Sequence, residues 1–211
     1  MTAALSAYID QYLQKYVMGL SSFLRDTGHL LELLNNKTCW KNCLWVSLDV
    51  KALYSNIDHS FGLRVVRYFL EGDPLLPNHQ KNFLLDILEF VLNHNYFKFE
   101  DKFFLQVKGI AMGAKCAPSY VNLAMGFLEL KLDIVGMKEV QFYKRWMRYS
   151  DDIFFIWRGG EERLQSFLSY VNGVWEELQF TMVYSESELQ FLDTRVVNKG
   201  GRLCTDLFVK P

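Results

Sequence analysis

Apolar residues recur at helical spacing along several stretches of the chain. Residues 4–36 are predicted to form a helix because their apolar positions repeat every three to four residues. The positions that share its apolar face are Leu13, Tyr16, Val17 and Leu20. Further amphipathic helices are predicted at residues 61–70, 78–92 and 161–178. Another helix is predicted to follow a glycine-bearing loop at residues 109–118 and to run to about residue 133, with one face formed by Val121, Ala124, Met125, Leu128 and Leu132.

Short apolar runs bounded by turn residues predict strands. The run at residues 44–48 ends in Asp49 and predicts a buried strand. Two apolar stretches, residues 141–148 and 153–158, flank the acidic pair Asp151-Asp152 and predict a hairpin with the two aspartates at its turn. Other strands are predicted at residues 96–99, 103–107, 180–184, 189–192 and 203–209. This order of elements predicts an α+β domain in which helices pack on one face of an antiparallel sheet.

Composition supports a folded chain with a sizeable core. Half of the 211 residues are hydrophobic and 22% are charged, which argues against disorder. The formal net charge of −1 gives no overall basic character, although nucleic-acid-binding domains usually carry a basic face. Five basic residues cluster near the acidic pair: Lys138, Lys144, Arg145, Arg148 and Arg158. This cluster predicts either a solvated surface or a phosphate-binding one, and the sequence leaves both open.

Cysteine spacing and hydropathy indicate an intracellular protein. Cys39 and Cys43 are close in sequence, but no matching Cys or His pair follows them, so reduced thiols are a better interpretation than a zinc site. The longest uncharged run, between Lys115 and Glu129, is too short to span a bilayer. No signal-peptide pattern opens the chain.

The acidic residues Asp49, Asp151 and Asp152 are the strongest candidates for chemistry. An Asp-Asp pair alone is common in solvated surface turns. A strand that ends in Asp49 can, however, lie beside the predicted hairpin in a sheet of this order. Three carboxylates at one edge could bind two Mg²⁺ ions about 3.5–4 Å apart and clamp the oxygens of a phosphoryl displacement. The sequence therefore predicts a two-metal site from these three residues.

Three segments resemble the palm motifs of reverse transcriptases, in the family's order. Residues 48–57 (LDVKALYSNI) resemble the first motif, residues 108–118 (KGIAMGAKCAP) the second, and residues 149–152 (YSDD) the third. Finer details resemble the Penelope-like retroelement branch, among them residues 22–27 (SFLRDT) and 191–194 (FLDT). The resemblance covers essentially the whole chain. It implies a polymerase palm with a ferredoxin/RRM-like core at residues 41–211, preceded by a helical segment at residues 1–40.

The resemblance also implies roles for individual residues. Asp49, Asp151 and Asp152 would be catalytic and would hold two Mg²⁺ ions, for which Mn²⁺ could substitute, with help from the backbone carbonyl of Val50. Tyr54 would be a steric gate against the ribose 2′-OH, although core packing is its plain alternative. The remaining substrate-binding residues would be Gly109, Gly113 and Tyr149. Residues Phe191, Leu192 and Asp193 would form a primer-grip-like hairpin, for which an ordinary edge strand and turn is the alternative.

These roles imply an RNA-directed DNA polymerase of a retroelement that uses an RNA template, a DNA primer and dNTPs, without a membrane. Nuclear action is expected from the branch, while protein partners are not indicated. Lys108 stands where many relatives carry Gln, and residues 184–187 lack the Lys found after the third motif in many relatives. No fingers motif is recognisable before Asp49. We therefore expect a palm-centred fragment lacking most of the fingers, the thumb and an endonuclease. A catalytically incompetent copy that at most binds nucleic acid is the alternative.

Overall fold

The computed structural model describes residues 2–34, 43–131, 146–174, 178–199 and 202–208. The helices are α1 (Thr2–Met18), α2 (Thr27–Leu34), α3 (Leu53–Asn56), α4 (His59–Glu71), α5 (Asn78–Asn93), α6 (Ala117–Lys131) and α7 (Glu161–Val174). The strands are β1 (Leu44–Lys51), β2 (Tyr96–Phe99), β3 (Lys102–Leu105), β4 (Met147–Tyr149), β5 (Asp152–Trp157), β6 (Gln179–Ser185), β7 (Glu188–Phe191), β8 (Thr194–Lys199) and β9 (Arg202–Leu207). No described helix is long and apolar enough to cross a membrane.

The chain forms two compact units. The helical unit comprises Met1–Leu20 and Ala52–Leu128, and the sheet unit comprises Ser21–Lys51 and Glu129–Pro211. Each unit is thus built from two separate stretches of sequence. The predicted functional division at residues 40 and 41 stays a prediction, because compactness does not test it.

In the helical unit, α5 packs against both α1 and α4. The side chains of Ile9, Leu13, Leu84 and Leu88 on α1 and α5 are fully buried. Helix α4 begins at a capping residue, since the side chain of Asp58 accepts a hydrogen bond from the Phe61 backbone N–H. Strands β2 and β3 form the predicted hairpin, whose side chains are exposed.

One predicted helix differs from the structure. The continuous helix predicted over residues 4–36 is wrong, because α1 ends at Met18 and α2 begins at Thr27. The Asp26 side chain accepts the His29 backbone N–H at 2.7 Å and so starts a new helix. The face predicted for α6 is buried at Val121, Ala124, Met125 and Leu128, while Leu132 lies outside the described residues. Burial also extends around the helix, because every residue from 119 to 126 is buried.

The sheet unit contains two antiparallel sheets. The larger has the order β4-β5-β1-β6, and the smaller has the order β7-β8-β9. The strand β8 was not predicted, although it is the central strand of the smaller sheet. Strands β7 and β8 are joined by a two-residue turn at Leu192 and Asp193, with Leu192 at φ 52°. The usual glycine or asparagine signal for such a turn is missing there, which explains the omission.

Both faces of the larger sheet are covered, so the prediction of helices on one face only is wrong. On one face, Phe155 and Trp157 contact Phe167 of α7, with ring centroids 5.9 and 5.4 Å apart. On the other face, Trp45, Phe154 and Ile156 form an apolar cluster with side chains of α2 and the smaller sheet. The cluster includes Leu30, Leu34, Leu189, Phe191 and Val196. This second face also carries the acidic residues.

Candidate functional site

Asp49 and Asp152 lie directly opposite each other on neighbouring strands. They are Cα partners in the antiparallel pairing of β1 with β5. Side chains of such a pair project to the same face with Cβ atoms roughly 4.5–5.5 Å apart. Asp49 is exposed between the buried residues Leu48 and Val50, and Asp152 is half-buried. The register of one strand pair therefore places two carboxylates side by side at the end of an otherwise apolar sheet face.

Asp151 belongs to the tight turn that precedes Asp152. The prediction placed both aspartates in this turn. In the structure the two turn residues are Ser150 and Asp151, because Tyr149 and Asp152 are already paired strand residues. Ser150 adopts φ 57°, in the left-handed region, as the first position of some two-residue hairpin turns requires. The Asp151 carbonyl accepts the Val50 backbone N–H at 3.3 Å, which joins the turn to β1.

A cleft of about 500 Å³ opens beside these acidic residues. It is lined by Asp26, Thr27, Ser47, Tyr149, Asp152, Gln190, Phe191, Leu192 and Asp193. Its lining residues come from the start of α2, from β1, from the β4–β5 hairpin and from the β7–β8 hairpin. All of them belong to the sheet unit. The structure therefore brings four of the predicted site residues, Tyr149, Phe191, Leu192 and Asp193, into one cleft with Asp152.

Asp26 and Thr27 line the cleft, although the sequence predicts no role for them. In the sequence, residues 22–27 only carry part of the resemblance to the retroelement branch. In the structure a hydrogen bond from the Arg25 side chain and a second one from the His29 N–H hold the pKa of Asp26 below its usual value. Asp26 is thus an ionised carboxylate at the mouth of the cleft. The negative charge of the cleft favours a cation or the hydroxyl groups of a sugar.

The remaining predicted residues, Tyr54, Gly109 and Gly113, belong to the helical unit. Tyr54 lies on the short helix α3 and is half-buried. Its carbonyl accepts the Ile110 N–H at 2.7 Å, and the Gly109 N–H donates to the Ile57 carbonyl at 2.9 Å. The predicted gate residue and the predicted glycine loop are therefore joined by backbone hydrogen bonds.

Gly109 has no room for a side chain. Its φ is 74°, and an added Cβ would lie 2.4 Å from the Tyr54 carbonyl oxygen and 2.5 Å from the Ser55 Cα. The carbonyl of Gly109 also accepts a hydrogen bond from His59 Nε2 at 2.7 Å. At Gly113, by contrast, an added Cβ meets nothing within 4 Å. The two loop glycines thus differ, since Gly109 is required by packing and Gly113 faces open space.

Gly109→Ala is expected to lower the free energy of unfolding by at least about 2 kcal/mol. The left-handed backbone alone disfavours a Cβ by roughly 1–2 kcal/mol, and the contact with backbone atoms adds to it. Gly113→Ala is the matched control and should change stability by less than about 0.5 kcal/mol. Urea denaturation of the two variants measures the difference. Equal stability of both variants would contradict the described loop.

The acidic residues suit a magnesium ion held partly by substrate. Among the described residues, no three His, Cys, Asp or Glu side chains are close enough to form a metal site on their own. Mg²⁺, however, is usually bound through one or two carboxylates plus waters and substrate phosphates. The opposed pair Asp49 and Asp152, with Asp151 beside Val50, provides such hard oxygen ligands. The donor set therefore fits the ion, while a preformed three-ligand cage is not present in the described part of the chain.

One member of the predicted basic cluster, Arg148, is not on the surface and cannot bind phosphate there. The Arg148 side chain is fully buried and pairs with Glu129, so the interpretation of this residue as solvated or phosphate-binding is wrong. Arg158 is exposed, as expected. Lys138, Lys144 and Arg145 lie outside the described residues, as does Cys39.

Comparisons with known proteins identify the family and the fold of this chain. The family model described as "Reverse transcriptase (RNA-dependent DNA polymerase)" matches residues 2–185. No curated protein sequence matches the chain.

Among solved structures, apo telomerase from Candida tropicalis has a TM-score of 0.73 at 12% identity, over 95% of this chain and 41% of that chain. Telomerase from Candida albicans, in complex with the TWJ fragment of telomeric RNA, has a TM-score of 0.73 at 9% identity, over 97% of this chain and 39% of that chain. The RNA-dependent RNA polymerase of a human picobirnavirus has a TM-score of 0.64 at 10% identity, over 98% of this chain and 40% of that chain.

These identities show the fold alone, and the chain spans about two fifths of the length of each of these proteins. The predicted α+β polymerase palm is confirmed. Because the family model covers most of the sequence, the chain belongs to the reverse transcriptase family.

Proposed function

We propose that this chain is the RNA-directed DNA polymerase domain of a Penelope-like retroelement, which adds dNTPs to the 3′-OH of a DNA primer on an RNA template. The observation that carries the proposal is the direct cross-strand pairing of Asp49 with Asp152, whose half-buried side chain lines the cleft. Opposed carboxylates on neighbouring strands repel each other, so the fold gains nothing from them. Their placement suits a function that needs cations.

Asp49, Asp151 and Asp152 would hold two Mg²⁺ ions, with the Val50 carbonyl as a further ligand. When bound, the ions supply positive charge that stabilises the attacking and leaving oxygens of an in-line phosphoryl displacement. The protein's own contribution is to keep the carboxylates in place. Strand pairing fixes Asp49 against Asp152, and the Val50 N–H fixes the carbonyl of Asp151.

The cleft would receive the end of the primer. The turn formed by Leu192 and Asp193 and the ring of Tyr149 line the cleft together with Asp152. A primer terminus held there would have its sugar near the carboxylates. The β7–β8 hairpin thus suits the primer-grip role that its resemblance implies.

RNA as the template is supported by the family model, whose description is an RNA-dependent DNA polymerase. The fold is also similar to that of an RNA-dependent RNA polymerase, so the fold alone does not decide between dNTP and NTP as the substrate. We assign that choice to Tyr54, whose aromatic ring would exclude a ribose 2′-OH. The Penelope-like branch and nuclear action rest on the sequence motifs, including residues 22–27, and belong to the proposal.

Primer extension tests the proposal directly. Purified chain in excess over a DNA primer annealed to an RNA template, with Mg²⁺ or Mn²⁺, is expected to add a single dNTP slowly and to prefer it over the matching NTP. Tyr54→Ala should reduce the preference for dNTP by about tenfold or more, because the steric exclusion is lost. Tyr170→Ala, which removes a half-exposed ring on α7, should leave the preference unchanged.

Two other outcomes would have different meanings. Preferential use of NTP over dNTP by the unchanged chain would contradict a DNA polymerase and favour an RNA polymerase. Tight binding of the template–primer without any incorporation, at high protein concentration and with either metal, would favour the catalytically incompetent copy.

A further inference from the structure

A charged pair is buried in the sheet unit close to the proposed catalytic turn. Arg148, on β4, directs its Nε to Glu129 Oε1 at 2.7 Å and its Nη2 to Glu129 Oε2 at 3.4 Å. The exposed fractions of the two side chains are 0% for Arg148 and 10% for Glu129. Lys, Glu, Arg and Asp are almost never buried to this extent unless they are paired.

Every part of the Glu129 carboxylate is satisfied. Besides Arg148, its Oε1 accepts the indole N–H of Trp146 at 2.9 Å, and its Oε2 accepts the hydroxyl of Ser22 at 2.6 Å. A buried ion pair rarely adds net stability over a well-packed apolar pair of similar size. Four donors converging on one carboxylate do, however, fix the orientation of the guanidinium. This arrangement indicates a role in geometry rather than in stability alone.

The guanidinium in turn holds the catalytic turn. Arg148 Nη1 donates to the carbonyl of Ser150 at 3.3 Å. Ser150 is the turn residue with φ 57°, a backbone conformation that is unfavourable for any residue with a side chain. The next carbonyl of the turn, that of Asp151, accepts the Val50 N–H. The two carbonyls of the turn are thus held from two directions, by Arg148 and by β1.

The same arginine anchors the segment that leads into the cleft. Its backbone N–H donates to the Ser22 carbonyl at 2.7 Å, and its own carbonyl accepts the Leu24 N–H at 2.9 Å. Phe23 and Arg148 therefore form a parallel bridge beside β4. Asp26 and Thr27, which line the cleft, follow directly in sequence.

We propose that Glu129 and Arg148 are positioning residues that hold Ser150 in its left-handed conformation and thereby place Asp151 and Asp152. The consequence for metal binding rests on the proposed function, whereas the effect on the turn does not. Neither side chain touches the substrate in this scheme. The pair acts through the backbone carbonyl of Ser150.

Glu129→Gln tests the inference, because it keeps the size of the side chain and removes the charge that orients Arg148. Hydrogen exchange of the peptide covering residues 147–153 is expected to become about tenfold faster. The affinity for Mn²⁺, measured by water proton relaxation, should fall by about tenfold, the lower end of the effect seen when a group behind a metal ligand is removed. Both are measured well below the melting temperature of the variant.

Glu188→Gln is the matched control. Glu188 Oε2 lies 2.9 Å from Arg195 Nη2, and both side chains are about half exposed, so this pair has the same chemistry without burial. Exchange at residues 147–153 and Mn²⁺ affinity should stay unchanged in this variant. Arg148→Lys should behave like Glu129→Gln, since an ammonium group cannot reach Glu129 and the Ser150 carbonyl at once.

Some results would overturn the inference. If Glu129→Gln lowers the melting temperature but leaves both exchange and Mn²⁺ affinity unchanged, the pair is merely structural. Should Glu129→Gln fail to fold, Ser22→Ala removes a single donor from Glu129 Oε2 and must shift the exchange in the same direction. If Asp49→Asn binds Mn²⁺ as tightly as the unchanged chain does, the proposed metal site is refuted. Hydrogen exchange at residues 147–153 would still decide whether Glu129 and Arg148 position the turn.

Discussion

Asp49→Asn is expected to lower the rate of single-nucleotide incorporation by about a thousandfold or more while leaving the fold intact. Asparagine keeps the size of the side chain but removes the charge that would hold a metal ion. Metal ions at such sites supply several kcal/mol of stabilisation to the transition state, and each 1.36 kcal/mol corresponds to a tenfold change in rate. Single-turnover incorporation measures this loss, and the affinity for Mn²⁺ should fall in parallel.

Asp49→Asn should be slightly more stable than the unchanged chain, although it is far less active. Asp49 is exposed and lies opposite Asp152, so removing one of two like charges relieves cross-strand repulsion. We expect the free energy of unfolding without metal to rise by a few tenths of a kcal/mol. Asp206→Asn, on the exposed part of β9, is the control and should alter neither rate nor Mn²⁺ affinity. A variant at Asp49 that keeps full activity would remove the basis of the catalytic assignment.

Arg148→Met is expected to have the largest effect on stability, a loss of about 3–5 kcal/mol in the free energy of unfolding. The change leaves the Glu129 carboxylate buried without its countercharge, which is the costly way to break an internal ion pair. Replacing both partners, as in Arg148→Met with Glu129→Met, should recover much of this loss because no isolated charge remains. Urea denaturation of the single and double variants measures both terms and their coupling.

Arg195→Met provides the comparison on the surface of the same unit. Its pair with Glu188 is about half exposed on both sides, so its loss should cost no more than about 1 kcal/mol. If Arg148→Met lowered the free energy of unfolding no more than Arg195→Met does, the buried pair would contribute no more to stability than the exposed pair. Such a result would also weaken the positioning role of Arg148.

The chemistry-bearing motifs could be located from the sequence because they are local. Apolar runs around Asp151-Asp152 predicted the hairpin, and the run before Asp49 predicted its neighbour in the sheet. The fold class followed from the order of these elements and is confirmed. The pairing of Asp49 with Asp152 could not be derived, because strand register depends on contacts between residues about a hundred positions apart.

Three features were missed for physical reasons. The break between α1 and α2 has a local signal in the capping residue Asp26, but the apolar spacing that continues across the break masks it. The burial of Arg148 depends on Glu129, a partner distant in sequence, while a charged residue taken alone predicts a surface. The turn at Leu192 has no glycine or asparagine to reveal it, so tertiary context must impose its left-handed conformation.

The alternation of side chains along β1 makes the number of residues in this strand critical. Trp45, Ser47 and Asp49 share one face of the strand, and Val46 and Leu48 share the other. Because a strand repeats every two residues, loss of a single codon between residues 44 and 49 would shift every preceding side chain to the opposite face relative to Asp49. Such a variant would keep an open reading frame and all three aspartates. We expect it to be inactive nevertheless, because the residues before the deletion would present the wrong side chains to the core.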